Sequence, residues 1–427
     1  MRRGPAAAPA APEPAYPDEA YNTRINTAHG AAQALSINLV NPFLGIDLIR
    51  LGASNFEIAL LSALPPLAAT VSNLGGARWL ARQREPKRAG AVMFLAARLA
   101  VLGFALLNLG LGARTKPAAW RVVAMVVLVG LLNIPNAVGN LSWQALITGL
   151  LGASRRARAL AHRSMVASLA GVTAVLLAGW WIRTRLDPGA YSWLYLLGAL
   201  AGVVEVVIFL RLRGNPVVQR LPTDLRPAIH RLWRDLPYRA YTLACLPFYF
   251  GWLMAWPLFL RYQVSIAHAT NLWIGIFTAV NALSAAAGNL IWSRIGDRIG
   301  PKLALPLAIG ALAGVPFSYS FAPGFWGLVG TNALGGVMGG GVTLLLLVRL
   351  MEVAPEADRV VAMGIANTLI GAIGVTGPLL GILLLRFIPM PEIFLVPTAL
   401  RFCGGLALLA AGATFAGEKP RVGTATG

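Results

Sequence analysis

Charge is scarce in this chain. Asp, Glu, Lys and Arg make up 12% of its 427 residues, and acids number 16 against 36 Lys and Arg. With 57% hydrophobic residues, that scarcity excludes a soluble globular protein of this length. Cysteine is nearly absent: Cys245 and Cys403 both lie in apolar stretches, which excludes a disulfide framework. His29, His162, His230 and His268 are scattered without ligand spacing, so no metal site is expected. No phosphate-cradling loop and no Ser/His/Asp arrangement occurs, so neither a cofactor, nor an enzyme, nor an ATP-driven machine is expected. No signal peptide is expected either. Arg2 and Arg3 lead into Ala- and Pro-rich sequence carrying Glu13, Asp18 and Glu19, with no apolar core. Residues 1–27 read as a disordered cytoplasmic tail.

Apolar runs fill the rest. About 20 apolar residues suffice to cross a bilayer as a helix, and twelve such spans are read, near 28–50, 55–77, 89–112, 119–149, 160–182, 191–212, 238–262, 271–293, 302–321, 324–350, 360–385 and 392–415. The net charge of +20 does not imply nucleic acid, because the basic residues cluster in short loops between spans. Most Lys and Arg fall on the side of the two termini. The other side holds Arg50, Arg114, Lys116, Arg121, Arg183, Arg185, Arg261 and Arg386. This asymmetry places both termini in the cytoplasm. The expected units are a first half at 28–213, a linker at 214–237, a second half at 238–416 and a C-terminal tail at 417–427. Within the linker, Leu225, Ile229, Leu232, Trp233 and Leu236 repeat at helical spacing while Arg226, Arg231 and Arg234 avoid that stripe. A helix over 222–236 lies either in the membrane interface, its arginines at anionic lipid head groups, or packed on the bundle.

The stretch from Asn271 to Lys302 stands out. It is an apolar helix ending in a basic turn, Arg294-Ile-Gly-Asp297-Arg298-Ile-Gly300-Pro301-Lys302. Gly296 and Gly300 permit a sharp reversal, Pro301 can open the next helix, and Asp297 is expected to pair with Arg294, Arg298 or Lys302. Half a chain length earlier an ungapped echo appears, with identities including Asn55/Asn271, Ile58/Ile274, Asn73/Asn289, Arg78/Arg294 and Arg82/Arg298. A duplicated bundle gives that spacing.

Two halves of six spans, each with a basic turn after its second span, resemble the major facilitator superfamily. Its signature there runs Gly-x-x-x-Asp-Arg-x-Gly-Arg-Lys. Asp297, Arg298, Gly300 and Lys302 match, Ser293 stands at the first Gly and Pro301 replaces the Arg. In the first half Ala81 stands at the Asp position and Arg82 keeps the Arg. The resemblance implies an all-α membrane protein of twelve transmembrane helices in two pseudo-symmetric six-helix bundles. It implies transport of a small-molecule solute by alternating access, with Arg78, Arg82, Arg294, Asp297, Arg298, Gly300 and Lys302 as a cytoplasmic gate. The family's fourth-span arginine is not visible, and its fifth-span Gly-Pro is replaced by Gly377-Pro378 in the eleventh.

In that family the first, fourth, seventh and tenth spans line the cavity. Span four carries Asn133, Asn136, Asn140 and Gln144 within about 80° of arc, either a cavity wall or glue between helices. Span one offers Gln33, Asn38 and Asn41. Span seven offers Tyr249, Trp252 and Trp256 on one face, which either stack on a solute or pack in the core. Span ten offers Asn332. Intramembrane charges each call for a partner. Asp47 pairs with Arg50 three residues on, or carries a proton. Glu205 and Arg98 lie at similar depth and are expected to pair, Glu205 being otherwise a proton carrier. Arg401 has no acid at its depth. Amides and aromatics favour a polar, mostly uncharged or amphiphilic solute, since an anion calls for more buried Lys or Arg and a cation for more acids. The expectation is therefore a monomeric, proton-coupled or uncoupled secondary transporter of a bacterial cytoplasmic membrane. A transport-inactive sensor or scaffold and a translocase of lipid or lipid-linked substrates remain as alternatives.

Overall fold

The computed structural model describes residues 18–109, 119–185, 188–214, 225–321 and 323–414, and among them there is no strand. The expectations for residues 1–17, Arg114, Lys116, the first part of the linker and the C-terminal tail from 417 lie outside the described residues. The helices of the first half are α1 (Glu19–Arg50), α2 (Asn55–Val71), α3 (Ala77–Ala81), α4 (Pro86–Leu109), α5 (Ala119–Leu150), α6 (Ala153–Trp181) and α7 (Pro188–Leu210). The linker holds α8 (Arg226–Arg234). The second half follows with α9 (Leu236–Leu253), α10 (Ala255–Arg261), α11 (Asn271–Ile299), α12 (Pro301–Tyr319), α13 (Phe325–Val353), α14 (Arg359–Leu384) and α15 (Leu395–Thr414). Among the described residues eleven helices are long and apolar enough to cross a membrane. The second span read from the sequence is built from α2, a π-turn at Ser72–Gly76 and α3.

Three local features shape the helix ends, two of them against expectation. Helix α1 starts at Glu19, inside the stretch read as disordered, because its first turns are tied to the ends of other helices. Asp18 pairs with Arg213 at 2.9 Å, Glu19 pairs with Arg155 at 3.1 Å, and Asn22 bonds both the N–H and the C=O of Arg213. Span seven breaks at Met254 between α9 and α10, beside Pro257, which has no N–H for the carbonyl four residues back. Only Gly300 makes the reversal into α12, at φ +78°; Gly296 stays helical and buried against Leu345.

In the first half α1 packs on α6 and α7, α4 on α5 and α7, and α2 on α5. In the second, α15 packs on α9 and α12, and α13 on α11 and α12. The halves meet along α2–α14 and α6–α11. The core is joined at one face only. Far from the termini, a single cluster runs through both halves, from Phe43, Ile58 and Tyr191 to Met254, Phe277 and Phe394. Toward the termini it divides into a first-half cluster around Phe94, Leu146 and Phe209 and a second-half cluster around Tyr238, Phe248 and Leu345.

Glycines set one of these contacts. Gly336 and Gly340 of α13 lie on the α11 backbone, where a Cβ on Gly340 would sit 2.5 Å from the Ala285 carbonyl. Such backbone proximity is what small residues permit. Gly340→Val is expected to destabilise by about 1–3 kcal/mol through overpacking, read as a lowered melting temperature in detergent; an unchanged melt would show that the helices can separate at no cost.

Candidate functional site

Between the halves lies a cavity of about 700 Å³. The second half supplies most of its wall: Trp252, Trp256 and Phe259 from the broken seventh span, Asn281 from α11, Tyr319 from α12, Asn332 from α13 and Arg401 from α15. Asn41 and Ser62 come from the first half. Gln263 enters this wall from a π-turn, Tyr262–Ile266, and donates to the Tyr319 hydroxyl at 2.7 Å. Asn281 donates to the Asn332 carbonyl at 3.1 Å. The wall is thus mostly apolar with a few fixed polar groups, the usual make-up of a small-molecule site. Trp252, Trp256 and Tyr249 also face a neighbouring cavity of about 600 Å³, lined by further residues of α9 and by largely aliphatic residues of α13 and α14.

The other expected cavity residues are placed elsewhere. Gln33 and Asn38 line a smaller cavity of about 290 Å³ between α1 and α6, which shares Thr278 with the large one. The amide stripe of α5 divides among different partners. Asn133 donates to its own helix at Val129, Asn136 accepts from Arg98 at 3.3 Å, Asn140 accepts from Gln33 at 3.3 Å, and Gln144 is exposed.

Asn136 and Asn140 belong to a polar network buried in the first half. Arg98 of α4 and Glu205 of α7 meet at 2.7 Å, both essentially inaccessible. His29 of α1 lies 3.6 Å from Glu205. Arg163 of α6, absent from the expected set because it sits at the loop end of its span, donates to Gln33 at 2.8 Å and stacks on Trp143 at 4.2 Å. One network therefore ties α1, α4, α5, α6 and α7 together.

A second buried carboxylate corrects a sequence expectation. Asp47 does not pair with Arg50. It accepts hydrogen bonds from Asn108 at 2.7 Å and from Tyr195 at 2.8 Å. Arg50 instead donates to the Tyr191 hydroxyl and to Asn271 Oδ1 at 3.2 Å. Tyr191 also donates to Asn271 Oδ1, at 2.8 Å, and the Asn271 amide donates to the Ile182 carbonyl at 2.8 Å. Asn271 is the first residue of α11, so these bonds latch the second half onto α1, α6 and α7 at the face far from the termini. The backbones are close there: a Cβ on Gly275 would lie 3.0 Å from the Val175 carbonyl.

At the opposite face no ion pair among the described residues joins the halves. Arg78, Arg82, Arg294, Asp297 and Arg298 are exposed, and contrary to expectation none of the ion pairs among the described residues includes Asp297, whose exposure leaves a pair there little to gain over water. Lys302 lies along Gly412 of α15. The linker helix α8 is docked on the second half. Leu232 is buried, and Arg231 forms a two-pronged pair with Asp358, at 2.7 and 2.9 Å, at the start of α14. That pair holds the Asp358 carboxyl below its ordinary value. The depressed value means the contact contributes stability above the usual carboxylate range, near about 3.9 for Asp, and loses it as pH falls through the lower folded value. The difference in melting temperature between wild type and Asp358→Asn should accordingly shrink as pH falls from about 7 to 3; a difference that stays constant would leave the ion pair without a stabilising role.

The family model described as the Major Facilitator Superfamily matches residues 30–268 and 241–425. Over 134 residues the chain is 31% identical to the multidrug resistance protein MdtG of Proteus mirabilis, covering 31% of this chain and 33% of that protein. Over 119 residues it is 29% identical to an uncharacterized MFS-type transporter of Mycobacterium tuberculosis, covering 28% of this chain and 20% of the relative. The match thus spans a third or less of the length of either relative. The fold is similar to a bacterial homologue of the iron transporter ferroportin in its inward-facing state (TM-score 0.71, 13% identity, 92% of this chain and 99% of that one). It is also similar to a D-xylose-proton symporter (TM-score 0.70, 12% identity, 91% and 97%).

Proposed function

The chain belongs to the major facilitator superfamily, and from that premise we propose that it is a secondary transporter carrying a small polar or amphiphilic solute through the cavity by alternating access. The observation that carries this reading is the asymmetry of the core. One hydrophobic cluster and the Arg50–Tyr191–Asn271 latch close the far face, while the core near the termini is split in two. Two rigid halves hinged at one face and parted at the other are one end state of a rocking cycle. The Lys and Arg distribution supports termini on the cytoplasmic side of a bacterial cytoplasmic membrane, which makes this the inward-open state. In the proposal Asn41, Trp252, Trp256 and Asn332 contact the solute. The exposed basic turns meet when the cytoplasmic side closes.

A cysteine placed at Asn332, with Cys245 and Cys403 replaced by serine, tests the orientation. An impermeant maleimide should label it rapidly from the cytoplasmic side of inverted vesicles and slowly from outside. Faster labelling from outside would overturn it. Proton coupling is part of the proposal, with Asp47 as the carrier: its partner Tyr195 lies one helical turn from Tyr191 of the latch, so protonation at Asp47 is communicated to the closed face through α7. Asp47→Asn should leave counterflow intact in proteoliposomes and abolish solute accumulation driven by a pH gradient. Gradient-driven accumulation at the wild-type rate would remove Asp47 from that role.

A further inference from the structure

Arg401 lies inside α15, a membrane-spanning helix, and is 1% exposed, yet none of the ion pairs among the described residues includes it. Its guanidinium is steered by main-chain carbonyls instead. Nε donates to Gly251 at 3.2 Å, next to the break between α9 and α10, and Nη1 donates to Leu312 of α12 at 2.9 Å. The Phe259 ring lies 6.0 Å away. These neutral acceptors orient the group without compensating its charge. No acid is at hand: Asp297, Glu352, Glu356, Asp358 and Glu392 of the second half all lie at helix ends or in the loops between them. A guanidinium stays protonated in proteins, and a buried charge without a counter-charge is costly. A staple between helices needs hydrogen bonds but no charge. Arg401 also lines the large cavity, among Trp252, Phe259, Tyr319 and Asn332.

We infer that Arg401 is the anion subsite of the cavity, and that the solute is an amphiphilic monoanion: a carboxylate paired with Arg401 and an aromatic or aliphatic body against Trp252 and Phe259. This deepens the transport reading and rests on it for the word solute; the anion subsite itself is a binding claim. One fixed cation matches one negative charge, and no second basic group lines the cavity to take a dianion. A planar guanidinium suits a planar carboxylate better than a point charge does.

The test is calorimetric binding of 2-naphthoate and of the uncharged 2-naphthamide to the full chain in detergent, at about 0.5 M salt to screen the surface charge. Naphthoate should bind at least about tenfold more tightly than the amide, the size of one charge-assisted hydrogen bond. Arg401→Gln should erase the preference while sparing the amide, and Arg401→Lys should keep part of it. Equal affinities in the wild type, no binding of either probe, or a preference that survives Arg401→Gln would each overturn the inference. The wild-type comparison decides it even if the Gln variant does not fold. Flux of neutral solutes with equal probe affinities would strike the anion subsite and spare transport. A naphthoate preference without flux of any solute would do the reverse.

Discussion

Replacing Glu205 by leucine is expected to cost about 3–5 kcal/mol of stability, enough to leave little folded protein. Glu205 is fully buried and meets Arg98 at 2.7 Å, so the substitution strands a guanidinium in the interior of the first half. The Asn136 amide also accepts from Arg98, at 3.3 Å, but carries no charge. Arg98→Met combined with Glu205→Leu should recover most of the loss, because removing both members of a buried pair is commonly far cheaper than removing one. Melting in detergent followed by circular dichroism reads both variants. A single variant as stable as the wild type would mean that the charge of Arg98 is met by other groups. If the double variant were as damaged as the single one, the pair would matter for its packing and not its charge.

Asn271→Leu should open the far face. It removes the acceptor of Arg50 and Tyr191 and the donor to the Ile182 carbonyl, at a point where the α6 and α11 backbones lie close together. Each hydrogen bond contributes about 0.5–1.5 kcal/mol, so losing two or three moves the balance between the two end states by about tenfold or more. Labelling of the cysteine at position 332 from outside should rise by that factor, with the rate from the cytoplasmic side falling. Unchanged rates would mean that the shared hydrophobic cluster alone keeps this face closed. Asn271 drew attention in the sequence only as a repeat identity with Asn55. Both residues open the second helix of their half, but Asn271 is the one that bonds across to the other half.

The elements themselves were legible. Apolar runs of bilayer length mark the spans, and the chain folds at Gly300-Pro301 as those two residue types require. Arg98 and Glu205 could be matched by depth, since each residue advances a helix by about 1.5 Å. Their contact follows once α4 and α7 are neighbours, as they are. Asp47 and Arg50 show where such reasoning stops. Three residues apart on one helix they look like a pair, yet the partners of Asp47 are 61 and 148 residues away. For the amide stripe of α5 the arc was legible, but not that α4 and α1 bring Arg98 to Asn136 and Gln33 to Asn140.

By itself the sequence determined that this protein is a polytopic helical bundle and roughly where most of its apolar spans fall, although α1 begins at Glu19 and α6 at Ala153, well before the spans read there. Those follow from hydropathy, capping chemistry and helix rise, which are local. The tertiary structure alone decided which face is latched, where the large cavity lies and what each buried charge meets. Arg401 was legible as a charge without an acid, but only the crossing of α9, α12 and α15 set it between two carbonyls in the cavity wall. A helix specifies the height and angle of its side chains; the neighbour that comes against that angle is chosen by the packing of the whole bundle.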